Sequence, residues 1–152
     1  MMQTPTTSRD SGFTLVELMV TIVIATMLIT IAIPSYTSQI RKSKRTDAKT
    51  ALLDLAGREE RYLATNSAYT ADPVLLGYGP VGTTFPVTLP NGDYQISAPV
   101  VTAADPTVSP PVQPGYTLTA TAYGTAQVKD TACATFTLDN KGVQSATSTT
   151  CW

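Results

Sequence analysis

From Phe13 to Ile33 the chain reads FTLVELMVTIVIATMLITIAI, and Glu17 is the only ionisable side chain in that run. At about 1.5 Å of rise per helical residue, such a segment reaches roughly 30 Å, the thickness of the hydrocarbon core of a bilayer. It reads as a membrane helix and not as the core helix of a soluble domain. In a chain of 152 residues it leaves room for one further domain with a modest core.

The formal net charge of -1 hides an uneven layout, because of the ten Lys and Arg residues only Lys129 and Lys141 lie beyond Arg61. The C-terminal half is mildly acidic and has no footprint for gripping phosphates, so no nucleic acid is expected as a partner. The cluster Arg41, Lys42, Lys44 and Arg45, just after the apolar run, reads as contact with membrane lipid headgroups. Cys133 and Cys151 form no C-x-x-C, and the chain has no histidine to share a metal with them. A disulfide is the stronger reading and two free thiols the weaker. The bridge would contribute on the order of 3 kcal/mol in the chain-entropy model. It would tie down the tail at Trp152 and belongs in an oxidising compartment such as the periplasm.

Residues 1–12, MMQTPTTSRDSG, are polar, with Arg9 near the apolar stretch. An ordinary secretory signal has an apolar region of roughly 7 to 15 residues ending in an A-x-A-like site. Here the run is longer and no such site follows, which leaves a plain signal anchor among the readings of the residues. The stretch GFTLVE adds a glycine, an aromatic residue and, four positions beyond it, a glutamate at the head of the apolar helix. This resembles the type III leader of type IV prepilins, most closely the PilE-like minor pilins of type IVa pili. The resemblance implies cleavage after Gly12 by a prepilin peptidase/N-methyltransferase and N-methylation of the new first residue, Phe13. It makes Glu17 the assembly acid and Pro34 the helix-kinking proline. RKSKRTDAKTALLDLAGREERYLATNSAYT, residues 41–70, extends it, whereas residues 99–114 have no counterpart that the resemblance supplies.

If cleavage frees the Phe13 amine, the mature helix opens with a cation one turn from Glu17. A carboxylate in a membrane helix costs up to about 2.5–3.5 kcal/mol at the bilayer centre and less near its edge. An ammonium offsets that cost, and in the family the favoured partner is the amine of a neighbouring subunit. The plainer reading is a first-turn carboxylate that complements the helix dipole. Thr14, Glu17, Thr21, Ala25, Leu28 and Ala32 share a stripe at roughly 100° per residue, and small side chains let membrane helices approach closely. Pro34 strands the carbonyl of Thr30, which bends or locally melts the helix, or else simply marks the end of the span.

After Pro34 the pattern turns amphipathic, with Ala48, Ala51, Leu52, Leu55, Tyr62 and Leu63 on one stripe. Asp54 and Arg58 are spaced as an i, i+4 pair. Glu59 interrupts the stripe and is expected at its edge with an Arg partner, and the helix is expected to end near Asn66. DYQISAPV, GYTLTATAYG and CATFTLD alternate as strands, and DNKG at 139–142 reads as a hairpin turn into Val143–Ala146. Residues 67–92 and the proline-rich 99–115 read as irregular connections.

GYGPVG at 77–82 is a literal G-x-G-x-x-G, yet no clear strand precedes it and TTFPVTLP cannot open a helix. There is no calcium-loop pattern. Asp72, Asp93, Asp105, Asp130 and Asp139 read as solvated turn residues. No enzymatic activity, cofactor or metal is expected.

The expected fold is α+β, a type IV pilin fold whose long N-terminal helix packs on a C-terminal antiparallel sheet. Its divisions are a leader (1–12), a transmembrane assembly helix (13–34), an amphipathic half (35–66) and a headpiece (67–152). The expected function is that of a minor pilin that helps prime type IV pilus assembly and enters the filament, in the service of motility, adhesion and DNA uptake. A pseudopilin of a type II secretion system is the alternative, and a membrane-anchored periplasmic binding domain or enzyme is the alternative of another class. Implied partners are other pilins, the peptidase, an inner-membrane assembly platform and membrane lipid. The chain would sit in the inner membrane with a periplasmic headpiece and later in an extracellular fibre. One feature opposes that topology, since the positive-inside rule alone would place the 41–45 cluster in the cytoplasm.

Overall fold

The structure, a computed structural model, describes residues 12–152. All of the expected leader except Gly12 lies outside the described residues. Helix α1 spans Leu15–Asn66, and the chain divides into two compact units between Ser38 and Gln39.

In the first unit the helix buries no side chain, and Leu15, Val16, Met27, Leu28 and Ile31 are all more than half exposed. An apolar surface of that extent calls for lipid or other helices around it. The threonines fit that setting. The hydroxyls of Thr21, Thr26 and Thr30 donate to the carbonyls of Leu18, Val23 and Met27 at 2.7–2.8 Å. Each hydroxyl is thus satisfied within the helix and leaves its methyl group to face outward. The helix continues through Pro34, so local melting does not occur there, and Thr37 donates its hydroxyl to the Pro34 carbonyl at 3.0 Å.

In the second unit the later half of α1 packs on an antiparallel sheet. Ala48, Leu52 and Leu55 are fully buried, and Ala51, Tyr62 and Leu63 are half-buried. Each leucine contributes about 1.5–3 kcal/mol by leaving water. Asp54 and Arg58 pair at 2.7 Å. Glu59 departs from expectation: it is fully buried and has no ion-pair partner among the described residues. Its position in the apolar stripe turns it inward, and the nearby Arg58 is already taken by Asp54 and by the carbonyls of Leu76 and Gly77.

The helix ends at Asn66, where Ser67 adopts φ 56° and its amide donates to Leu63 at 2.8 Å. Glycine usually fills this left-handed closing position because a Cβ is strained there. Ser67→Gly is therefore expected to raise stability by about 0.5 kcal/mol, read as a higher urea midpoint at unchanged slope. A lower midpoint would show that the serine side chain contributes more than its backbone strain costs.

The strands are β1 (Val87–Thr88), β2 (Tyr94–Ile96), β3 (Val100–Thr102), β4 (Gly115–Ala122), β5 (Thr135–Asp139) and β6 (Gln144–Ala146). The sheet order is β1-β2-β4-β5-β6, with β3 also pairing with β4. Inward residues interlock by size, since Ala120 stands opposite Ile96 on one side and Phe136 on the other. The small central alanine leaves room for Tyr94 and Phe136 to meet edge to face at 5.8 Å.

Two segments expected to be irregular carry strands. Val87–Thr88 pairs with β2 across a hairpin turned at Asn91-Gly92, a strong hairpin signal. Val100–Thr102 continues along the edge of β4 that β2 occupies. The single run DYQISAPV is interrupted because Pro99 has no N–H to give the ladder. Ile96 faces Ala120 and Val100 faces Thr117, so one extra residue is accommodated as a bulge. Beyond it, Asp105 and Val112 form an isolated bridge that closes the proline-rich loop.

Candidate assembly site

At the head of α1, Thr14 Oγ1 accepts the Glu17 backbone N–H at 3.2 Å, the N-terminal half of a T-x-x-E capping box. The cap fixes the first turn and therefore where the carboxylate of Glu17 is rooted. Glu17 is exposed, and among the described residues its carboxylate has no ion-pair partner. Phe13 precedes it at 82% exposure. The capping signature lies in the sequence itself, in Thr14 and Glu17, and adds a structural duty to the first turn without occupying the acid.

Within the second unit, two members of the basic cluster are committed to acids. Lys44 Nζ pairs with Asp93 at 2.7 Å, and Arg45 holds both oxygens of Asp130 at 2.7 and 2.8 Å. Asp93 and Asp130 are 7% exposed, so they are buried clamps and not solvated turn acids. These hydrogen bonds hold the Arg45 proton more firmly than water would. Gln127, fully buried, donates to Asp130 at 3.1 Å and to the Tyr94 hydroxyl at 2.8 Å. Nothing in the local sequence pairs residues 44–45 with 93 and 130, because the partners are brought together only by the helix docking on the sheet. Arg41 and Lys42 keep no ion pair among the described residues.

Close approach of backbones makes the clamp compact. The Asp93 carbonyl accepts from Tyr123 and Gly124, and a Cβ on Gly124 would lie 2.8 Å from the Gly92 carbonyl oxygen. No side chain fits there.

At the other edge, Cys133 and Cys151 form a disulfide. It returns the tail so that Trp152 meets Phe136 edge to face at 5.8 Å and donates from Nε1 to the Ser145 carbonyl. Lys49 lies over both rings at 5.8 and 5.7 Å. The tail thereby shields the outer edge of β6, which would otherwise present unpaired backbone groups. The turn at 139–142 forms as the sequence implies, with Gly142 at φ 76° and Asp139 accepting from Lys141 and Val143 at 2.9 and 2.8 Å.

GYGPVG has a structural task. Arg58 donates to the Leu76 and Gly77 carbonyls at 3.1 and 2.7 Å and lies 5.4 Å from the Tyr78 ring centroid. The loop is thus fastened to α1, and no helix follows it to hold a phosphate. Among the described residues no group of acids and cysteines is arranged to hold a metal ion.

Residues 34–137 match the family described as "Type IV minor pilin ComP, DNA uptake sequence receptor". Residues 7–33 match the prokaryotic N-terminal methylation motif. The type IV major pilin protein PilA of Myxococcus xanthus (strain DK1622) is 33% identical over 72 residues, covering 47% of this chain and 33% of that protein. This chain thus spans about a third of the length of that relative. The methylation motif covers the head of the exposed apolar helix, and the minor pilin match covers its continuation and most of the sheet. With more than half of its length matched, this chain belongs to the type IV minor pilin family described under ComP.

Proposed function

We propose that this minor pilin is made with residues 1–12 as a leader, is cut between Gly12 and Phe13, and is methylated on Phe13 by the prepilin peptidase/N-methyltransferase. Residues 13–34 then hold it in the inner membrane, residues 35–66 form the amphipathic half of the helix, and residues 67–152 complete a periplasmic headpiece. From there it packs with other pilins on the assembly platform, helps prime the filament and ends in the extracellular fibre. Glu17 draws the amine of a neighbouring subunit, and Pro34 supplies the kink. The chain performs no catalysis of its own.

The observation that carries this reading is the methylation motif over residues 7–33, which takes in the head of α1, where the helix buries no side chain up to Ser38 and Glu17 has no ion-pair partner among the described residues. Orientation is supported by the disulfide, which suits the periplasm. It is supported too by the pairing of Lys44 and Arg45, which leaves Arg41 and Lys42 as the outward part of the cluster that opposed it. The test has two parts. The intact mass of the membrane-extracted protein should lack residues 1–12 and carry one added methyl group, and reduction should add two hydrogens. Glu17→Val should leave cleavage intact while the amount recovered in sheared filaments falls by about tenfold or more, the equivalent of 1.4 kcal/mol. An uncut chain, or undiminished incorporation of the variant, would refute the proposal.

A second reading follows from the family description, which names a DNA uptake sequence receptor. Among the described residues the cations left for phosphate contact are Arg41, Lys42, Arg61, Lys129 and Lys141, because Lys44, Arg45 and Arg58 are committed to aspartates and Lys49 lies over the Phe136 and Trp152 rings. Binding of duplex DNA that weakens steeply with salt would favour it. No retention of duplex at low salt would leave the structural role alone.

A further inference from the structure

Glu59 is fully buried on the sheet-facing side of α1. Its Oε2 accepts the Thr70 backbone N–H at 3.2 Å, whereas its Oε1 is buried with no hydrogen-bond partner. A charged carboxylate left in this way carries a large desolvation penalty. The surroundings offer no relief. On α1 the neighbouring ionisable group is another acid, Glu60, and Arg58 turns away to Asp54 and to the carbonyls of Leu76 and Gly77. From the segment after the helix comes Tyr69, whose hydroxyl donates to Glu60 Oε1 at 3.0 Å. From β4 comes Tyr116, whose ring meets that of Tyr69 edge-on at 4.8 Å. Among the described residues no Lys or Arg lies within ion-pair distance of Glu59.

We propose that Glu59 keeps its proton in the folded headpiece and latches residues 67–70 to α1, so that this segment loosens when the proton is lost. Burial pushes the Glu59 carboxyl above the ordinary range, the Thr70 amide opposes this, and Glu60 adds to it. The sign follows from linkage: a carboxyl raised in the fold leaves stability whole at low pH and removes it as pH climbs through the raised value. The latch sits where the chain leaves the helix, and the strained Ser67 is the first residue of the latched segment. Loss of the proton leaves the Thr70 bond in place but buries a charge on Oε1 that has no partner, and that charge regains water only as the segment covering it opens. The inference does not depend on whether the chain enters a filament.

The test uses the mature chain in detergent micelles. The side-chain carboxyl ¹³C shift of Glu59 and the exchange protection of the Thr70 amide are followed together from acid to mildly alkaline pH. Glu59 should titrate above the ordinary carboxylate range, with Thr70 protection falling over the same interval by about tenfold per unit of upward shift. In Glu59→Gln, which keeps an acceptor for Thr70, protection should be independent of pH. Glu59 titrating in the ordinary carboxylate range would overturn the proposal. So would an unchanged fall in protection in Glu59→Gln. Should that variant fail to fold, the wild-type titration alone decides.

Discussion

Replacing Cys133 and Cys151 together by alanine is expected to lower the stability of the headpiece by about 3 kcal/mol, the loop-closure entropy returned to the unfolded chain by a bridge of this span. The half-cystines are 18 residues apart and nearly fully buried, so removing the sulfurs costs packing as well as a constraint. The loss should also have a direction in space. The bridge delivers Trp152 to Phe136 and Lys49 and lays the tail beside β6. Trp152 is the only tryptophan, so its emission reports the docking directly. A shift of that emission to longer wavelength, together with a lower urea midpoint, is the expected pair of results. A loss below about 1 kcal/mol with unchanged emission would mean that ring contacts and the β5–β6 ladder hold the tail by themselves.

Asp130→Ala is expected to cost about 2–4 kcal/mol, slightly below the range for a wholly buried pair because the Arg45 side chain retains 19% exposure. The substitution strands the Arg45 guanidinium and removes one acceptor of Gln127, whose other bond leads to Tyr94 in the core. Most of the cost is the penalty of an uncompensated charge, not the worth of the pair. Arg45→Met combined with Asp130→Leu should therefore recover much of the loss. Equal destabilisation of the single and double variants, measured by urea unfolding, would instead make the pair itself the source of stability.

Helix α1 is fastened to the sheet through Lys44–Asp93, Arg45–Asp130 and Asn91–Asp47. These contacts act beside the Leu52–Leu55 core. They are directional where the core is not, and they fix the rotation of the helix against the sheet.

Much of this was legible in the residues alone. The apolar run and its single acid announce a membrane helix by length and hydropathy, which are local properties. GFTLVE marks the processing pattern, the 3.6-residue stripe predicts the buried face of α1, and the alternation of GYTLTATA and TFTLD predicts β4 and β5. The turn at 139–142 follows from its own glycine and aspartate. Each of these depends on neighbours within a few positions along the chain.

What only the tertiary structure decided are the pairings between distant positions. Arg45 and Asp130 look like a headgroup contact and a solvated turn acid until helix docking pairs them, burying Asp130 and leaving Arg45 partly exposed. Glu59 looks like an edge residue because a sequence rule assigns charge to the surface, and it is interior because the stripe it occupies is fixed by Leu52 and Leu55 on the same face. Val100–Thr102 looks like loop because of the prolines around it, and it is strand because β4 extends past β2 and offers a free edge. Local chemistry set the elements of this protein, whereas burial, which depends on what the fold places opposite each side chain, set the state of its charges.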